Sequence, residues 1–167
     1  MEWSEFLNDL ELNSSANPPN GKLLFKKVVH DVLECLSGFK ECTKIIITQK
    51  DGVPAQTRMG LVAWEDPVDK WIGQIVSLDK QVEGQSATGP GWPSVLAEIG
   101  TVLRQVPELR NDVKALALPA TGKMQLVVQM AIRLTKQLHL IWGDIQTKDY
   151  KRLWVIQRYG EELNQDS

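Results

Sequence analysis

Hydrophobic residues recur along most of the chain at the three- and four-residue spacing of an amphipathic helix. Residues 22–39 place Phe25, Val28, Val32 and Leu36 on one stripe, with charged side chains elsewhere. This pattern predicts a surface helix packed on a core. The same spacing recurs in four further segments, residues 66–82, 93–106, 108–118 and 148–163. The chain is therefore predicted to be mainly helical.

The strongest periodicity lies in residues 124–145, where apolar residues alternate spacings of three and four without a break. They are Met124, Val127, Ala131, Leu134, Leu138, Ile141 and Ile145. Such a heptad seam predicts a long helix. Apolar residues outside the seam, including Leu126 and Met130, predict that this helix is buried on more than one side. The seam could be internal core or a contact between chains, and the sequence leaves both open.

The period changes in residues 43–64. Three β-branched residues, Ile45 to Ile47, precede Asp51-Gly52, a dipeptide that suits a tight turn. This segment predicts one small β-hairpin between the second and third helices. The predicted fold class is therefore mainly α, an α-rich α+β domain with a bundle of five or six helices and a hairpin inserted near residues 43–64.

The first residues read as a short amphipathic helix with one apolar face. Trp3, Phe6, Leu7 and Leu10 recur at i, i+3, i+4 and i+7. The turn-forming sequence NSSANPPNG follows and cannot continue a helix. We predict three parts: an acidic arm (residues 1–12), a linker (residues 13–21), and a single helical domain with the hairpin (residues 22–163).

Composition sets broad limits on function. The 167 residues carry a formal net charge of −2, with 43% hydrophobic and 24% charged residues, which is typical of a globular domain. We find no export signal and no apolar run of membrane-spanning length. An intracellular, cytoplasmic protein without membrane insertion is expected, in which Cys35 and Cys42 are reduced and mostly buried.

Charge is distributed unevenly along the chain. The arm has four acids and no base, whereas residues 121–158 hold seven basic and two acidic residues, a formal +5. Three interpretations follow. The arm could rest on the basic C-terminal helices of a neighbouring subunit or partner. Those helices could instead bind nucleic-acid backbone. The charges could also be an ordinary solvated face.

The first two interpretations name overlapping sets of residues, which share four C-terminal cations. The predicted partner-binding set is Trp3, Phe6, Leu7, Leu10, Lys148, Lys151, Arg152 and Arg158. The alternative nucleic-acid set is Lys123, Arg133, Lys136, Lys148, Lys151, Arg152, Trp154 and Arg158. Of the six tryptophans, Trp3 and Trp92 are predicted at a partner surface, because each is next to a flexible segment.

The search for chemistry returns no catalytic motif. Gly122-Lys123 lacks two required positions of a phosphate-binding loop. His30 and Glu34 could share a cation, but an i, i+4 side-chain pair explains them better. We therefore expect no metal, no cofactor and no enzymatic activity. The sequence favours a non-catalytic intracellular adaptor or assembly protein that self-associates or docks a protein partner, with nucleic-acid binding as the alternative.

Overall fold

The structure is a computed structural model that describes residues 18, 20–48, 53–116 and 122–155. These residues form helices and no strand, which confirms the predicted mainly helical fold. Six helices have at least eight residues and one has six. They are α1 (Gly21–Thr48), α2 (Ala55–Val62), α3 (Glu65–Gln81), α4 (Trp92–Val102), α5 (Val106–Lys114), α6 (Lys123–Thr147) and α7 (Tyr150–Val155).

The two longest helices, α1 and α6, pack against each other in opposite directions. Gly38 in α1 leaves room for Leu134 in α6, since a Cβ at Gly38 would lie 3.1 Å from Leu134 Cδ1. Near the start of α1, Lys27 Nζ donates to the carbonyl of Leu153 at 2.6 Å, and Leu153 follows α6. The end of α6 therefore lies beside the start of α1. All seven helices contribute side chains to one hydrophobic core.

The predicted hairpin in residues 43–64 is wrong. Residues 43–48 form the last turns of α1, and residues 55–62 form α2. Ile46 is fully buried while Ile45 is exposed, because the buried stripe of α1 continues at helical spacing through Phe39 and Cys42. β-Branched residues disfavour a helix by only a fraction of a kcal/mol each, so burial of this stripe outweighs their preference. The predicted turn, Asp51-Gly52, lies outside the described residues.

Proline lies in the first turn of each of the next three helices. Pro67, Pro93 and Pro107 lie near the starts of α3, α4 and α5, where a missing backbone N–H costs no helical hydrogen bond. Asp66, the carboxylate that directly precedes Pro67, does not cap α3. It lies inside the first turn, and Trp64 occupies the cap position without a side-chain hydrogen bond. A carboxylate in the first turn still interacts favourably with the helix dipole.

The heptad seam of α6 faces the core of its own domain. Ala131, Leu138, Ile141 and Ile145 are buried, so this part of the seam is internal. The expectation that α6 is buried on more than one side is wrong for its first turns, where Leu126 and Met130 are exposed. No helix in the described ranges combines the length and apolarity needed to cross a bilayer.

Candidate functional site

Three of the predicted partner-binding cations lie where α6 turns into α7. We call Lys148, Lys151 and Arg152 the basic corner. Lys148 has a φ of 59°, and the N–H groups of Lys148 and Asp149 donate to the last carbonyls of α6 at 3.2 and 2.9 Å. This left-handed residue ends the helix and reverses the chain. The turn therefore gathers the three exposed cations at one corner of the bundle.

A buried carboxylate, Asp144, lies beneath the basic corner. Arg152 Nε is 3.3 Å from Asp144 Oδ2, although no donor in the described part of the chain is aligned to hydrogen-bond that oxygen. Burial raises the pKa of Asp144 to about 6, Arg152 opposes the shift, and the Asp149 carboxylate adds to it. The charge of Arg152 is thus partly neutralised by a residue of its own domain.

This raised pKa predicts a pH dependence of stability. The folded chain binds a proton at Asp144 more tightly than the unfolded chain does, so its contribution to stability is complete below pH 4 and is lost as pH rises through about 6. Asp144→Asn should remove this loss. We expect urea midpoints of the parent to fall more steeply between pH 5 and pH 7 than those of the variant. Parallel midpoints in the two proteins would contradict the assignment.

The remaining predicted cations do not join the basic corner. Lys123 begins α6 and Lys148 follows its end, so about 37 Å separates their Cα atoms at 1.5 Å per residue. Arg133 and Lys136 lie along the helix between them. The nucleic-acid set is therefore spread along the molecule. Arg158 and the four arm residues Trp3, Phe6, Leu7 and Leu10 lie outside the described residues.

The tryptophans in the described ranges are mostly internal. Trp92 is only 2% exposed, so its predicted position at a partner surface is wrong. Its ring packs on Phe25, and its Nε1 donates to the Ser86 carbonyl at 2.8 Å. Trp154, proposed to stack on bases, is also buried. Trp142 is half-buried and stacks on His139.

One cluster of potential metal ligands occurs in the described residues. His30, Asp31 and Glu34 bring three ligand atoms within 4.8 Å of one another. However, the Lys27 ammonium lies 2.7 Å from the Asp31 carboxylate and would repel a cation. The His30–Glu34 contact of 3.6 Å fits an ordinary pair across one helical turn.

Both cysteines lie in the interior of α1. Cys35 and Cys42 are free and buried. Burial raises the pKa of the Cys35 thiol to about 12 and also raises that of Cys42. A nucleophilic cysteine requires the opposite shift, because the thiolate is the reactive form. The surroundings of these two thiols therefore disfavour nucleophilic chemistry.

Most of the exposed large hydrophobic side chains in the described ranges lie toward the end of the bundle opposite the basic corner. Five of the seven large hydrophobic residues exposed in the described ranges lie on the last turns of α1, on α2, or on the first turns of α6. They are Ile45, Met59, Val62, Leu126 and Met130, which we call the apolar end. Because α1 and α6 are antiparallel, and α2 packs on α1 and follows its last turn in the chain, these segments lie toward the same end of the bundle.

Two of these residues are strongly exposed. Met59 is 72% and Leu126 is 65% exposed, far more than a core position allows. The exposure of Leu126 and Met130 could not be predicted from the periodicity of residues 124–145, because a helix that is apolar on several sides is expected to bury both residues. The low charge of α2 is the feature of the sequence that points to an exposed apolar surface, because its eight residues include only one charged residue, Arg58.

A groove of about 520 Å³ lies beside the apolar end, between α2 and α5. Its apolar walls include Leu61, Trp64, Val113 and Leu116. Trp64 Nε1 donates to Asp112 at 2.9 Å, and its ring packs against Trp71 at 6.0 Å between centroids. These contacts fix the indole, so the groove has a rigid aromatic wall suited to an apolar side chain.

Basic residues outnumber acids within the three helical segments that carry the apolar end. The segments that carry it, residues 41–48, 55–62 and 123–130, contain three basic residues and one acid, a formal +2. The basic residues are Lys44, Arg58 and Lys123, and the acid is Glu41. Apolar side chains with a basic surround match an acidic, amphipathic ligand.

Comparison with protein-family models, curated proteins and solved structures finds no match to this chain.

Proposed function

We propose that this protein is a non-catalytic assembly module that docks a protein, specifically a second copy of itself, through the apolar end. The carrying observation is the concentration of exposed apolar side chains on three segments at one end of the bundle. Isolated exposed hydrophobic residues are common on soluble proteins, whereas several at one end of a bundle, beside an apolar groove, favour an interaction surface. The adjacent α2–α5 groove supplies a pocket in which an anchoring side chain can be desolvated.

The apolar end supports docking better than the basic corner does. Among the large hydrophobic residues exposed in the described ranges, only Leu23 and Val155 lie near the start of α1 or in α7, and Arg152 is engaged by Asp144. Charged rim residues chiefly steer association, whereas desolvated apolar anchors supply most of the affinity. Partner binding by Lys148 and Lys151 remains a prediction, which the matched control below tests.

Nucleic-acid binding is supported less well by the described geometry. Its predicted cations are spread along the length of α6 and into α7, and the ring of Trp154 is internal. Stacking on a base requires an exposed aromatic face. No observation on the described residues favours this alternative over protein docking.

Light scattering across protein concentration tests the proposal. We expect the mass of the parent protein to rise with concentration. The mass of Met59→Glu/Leu126→Glu should stay at that of a single chain over the same range, because its apparent Kd for association is weakened at least about tenfold. Both side chains are exposed, so this change should leave the fold intact, which circular dichroism checks.

The matched control reverses two exposed cations of the basic corner. Lys148→Glu/Lys151→Glu should associate as the parent does, because these residues lie at the other end of α6. A parent protein that stays monomeric at every concentration would overturn the proposal. Equal association of the parent and the Met59→Glu/Leu126→Glu variant would also overturn it. Loss of association only in the control would return the docking site to the basic corner.

A further inference from the structure

We infer that the occupant of the apolar end is the acidic arm, residues 1–12, of a second copy of this chain. This inference rests on the proposed function and names the ligand of the same site. The arm has the chemistry that the site requires. Its aromatic and leucine residues recur at the spacing of one helical face, at positions 3, 6, 7 and 10, which is how a helix that docks in a groove presents its anchors.

The groove and the arm have complementary apolar features. The α2–α5 groove, at about 520 Å³, lies within the usual range of pockets that bury a ligand, about 300–1,000 Å³. An aromatic anchor such as Trp3 or Phe6 can enter it beside Trp64. The leucines that follow the anchors along the arm then have Met59 and Val62 of α2 as exposed apolar neighbours.

The charges of the two surfaces are opposite. The arm carries Glu2, Glu5, Asp9 and Glu11 and no base, a formal −4. The segments that carry the apolar end have a formal +2, from Lys44, Arg58 and Lys123 against one acid. Opposite charge around an apolar contact orients the ligand and speeds association, and salt weakens it.

The position of the linker favours a second copy over the same chain. The linker enters α1 at its first residue, Gly21, whereas Ile45 lies 24 residues further along the helix, about 36 Å away at 1.5 Å per residue. Residues 13–20 span at most about 29 Å when fully extended. This reach falls short of Ile45, so docking on its own apolar end would need a fully extended linker with part of the arm bridging the remaining distance, which is entropically costly. A neighbouring copy imposes no such constraint.

Assembly through two different surfaces has a consequence for size. Because the arm of one copy contacts the apolar end of the next, the contact is heterologous. Such contacts build open chains or closed rings rather than stopping at a two-fold dimer. We therefore expect the parent protein to grow beyond two chains as its concentration rises.

A mixing experiment with two full-length variants tests the pairing. The arm variant, Trp3→Ala/Phe6→Ala, keeps an intact apolar end, and the end variant, Met59→Glu/Leu126→Glu, keeps an intact arm. Each alone should remain a single chain in light scattering. Mixed in equal amounts, they should form a 1:1 complex that does not grow, because the one functional arm and the one functional end are both used. Raising the salt concentration should weaken this complex.

The control is Ser4→Ala/Asn8→Ala, which changes the polar face of the arm and should associate as the parent does. If the arm variant still associates by itself and the end variant does not, the arm is not the ligand, and the proposed function stands. Parent-like association of both variants would overturn both. Two monomeric variants that form no complex on mixing would overturn the pairing of arm with end.

Discussion

Asp31→Ala is expected to lower the free energy of unfolding by about 3–5 kcal/mol, the usual cost of removing one partner of a buried ion pair. Lys27 and Asp31 have side chains only 8% and 7% exposed, and their charged atoms are 2.7 Å apart. Burial lowers the pKa of Lys27, and the hydrogen bond to Asp31 opposes that shift. Without the carboxylate, the ammonium keeps its hydrogen bond to the carbonyl of Leu153 but loses its counter-charge. Urea denaturation at pH 7 measures the loss.

Two variants separate the burial effect from the loss of any charge in this helix. Lys27→Met/Asp31→Leu removes both charges while keeping apolar volume, so its cost should be much smaller than that of Asp31→Ala. Glu34→Ala removes an exposed carboxylate one turn further along α1, and should change stability by less than about 1 kcal/mol. A loss below 1 kcal/mol for Asp31→Ala would show that the ammonium reaches water.

The helices were predictable because their apolar stripes are long and regular. The stripe through Phe25, Val32 and Leu36 was identified from spacing alone, and the structure extends it to Ile46. The error in residues 43–64 arose where local preference and tertiary packing disagree. The β-branched run Ile45 to Ile47 favours a strand locally, but Ile46 completes a buried face that already spans several turns.

The candidate site was harder to predict because exposure depends on which neighbours a helix has. Leu126 and Met130 have the composition of core residues, and only the placement of α6 on α1 shows that their side of the helix is uncovered. The α2–α5 groove likewise depends on Trp64 meeting Asp112, residues 48 positions apart. Spacing within one segment carries no information about such distant contacts.

Trp92→Ala is expected to lower the free energy of unfolding by about 3–5 kcal/mol, as for other large aromatic residues removed from a core. The indole is 2% exposed and packs on Phe25 with ring centroids 5.5 Å apart. Its Nε1 donates to the Ser86 carbonyl at 2.8 Å, and a Cβ at Gly21 would clash with the Trp92 side chain. Trp92 therefore fastens the start of α1 to α4. Thermal and urea unfolding measure the loss.

Two comparisons distinguish this core role from the surface role predicted from sequence. Trp92→Phe keeps an aromatic ring but loses the hydrogen bond to Ser86. Its free energy of unfolding should therefore lie between those of the parent and Trp92→Ala. Trp142→Phe, at a half-buried position, should cost less than Trp92→Ala. If Trp92→Ala left stability unchanged and abolished association, Trp92 would be a docking residue. We expect Trp92→Phe to be less stable than the parent and still to associate. Trp92 lies beside the start of α1, whereas the apolar end lies at the other end of α1.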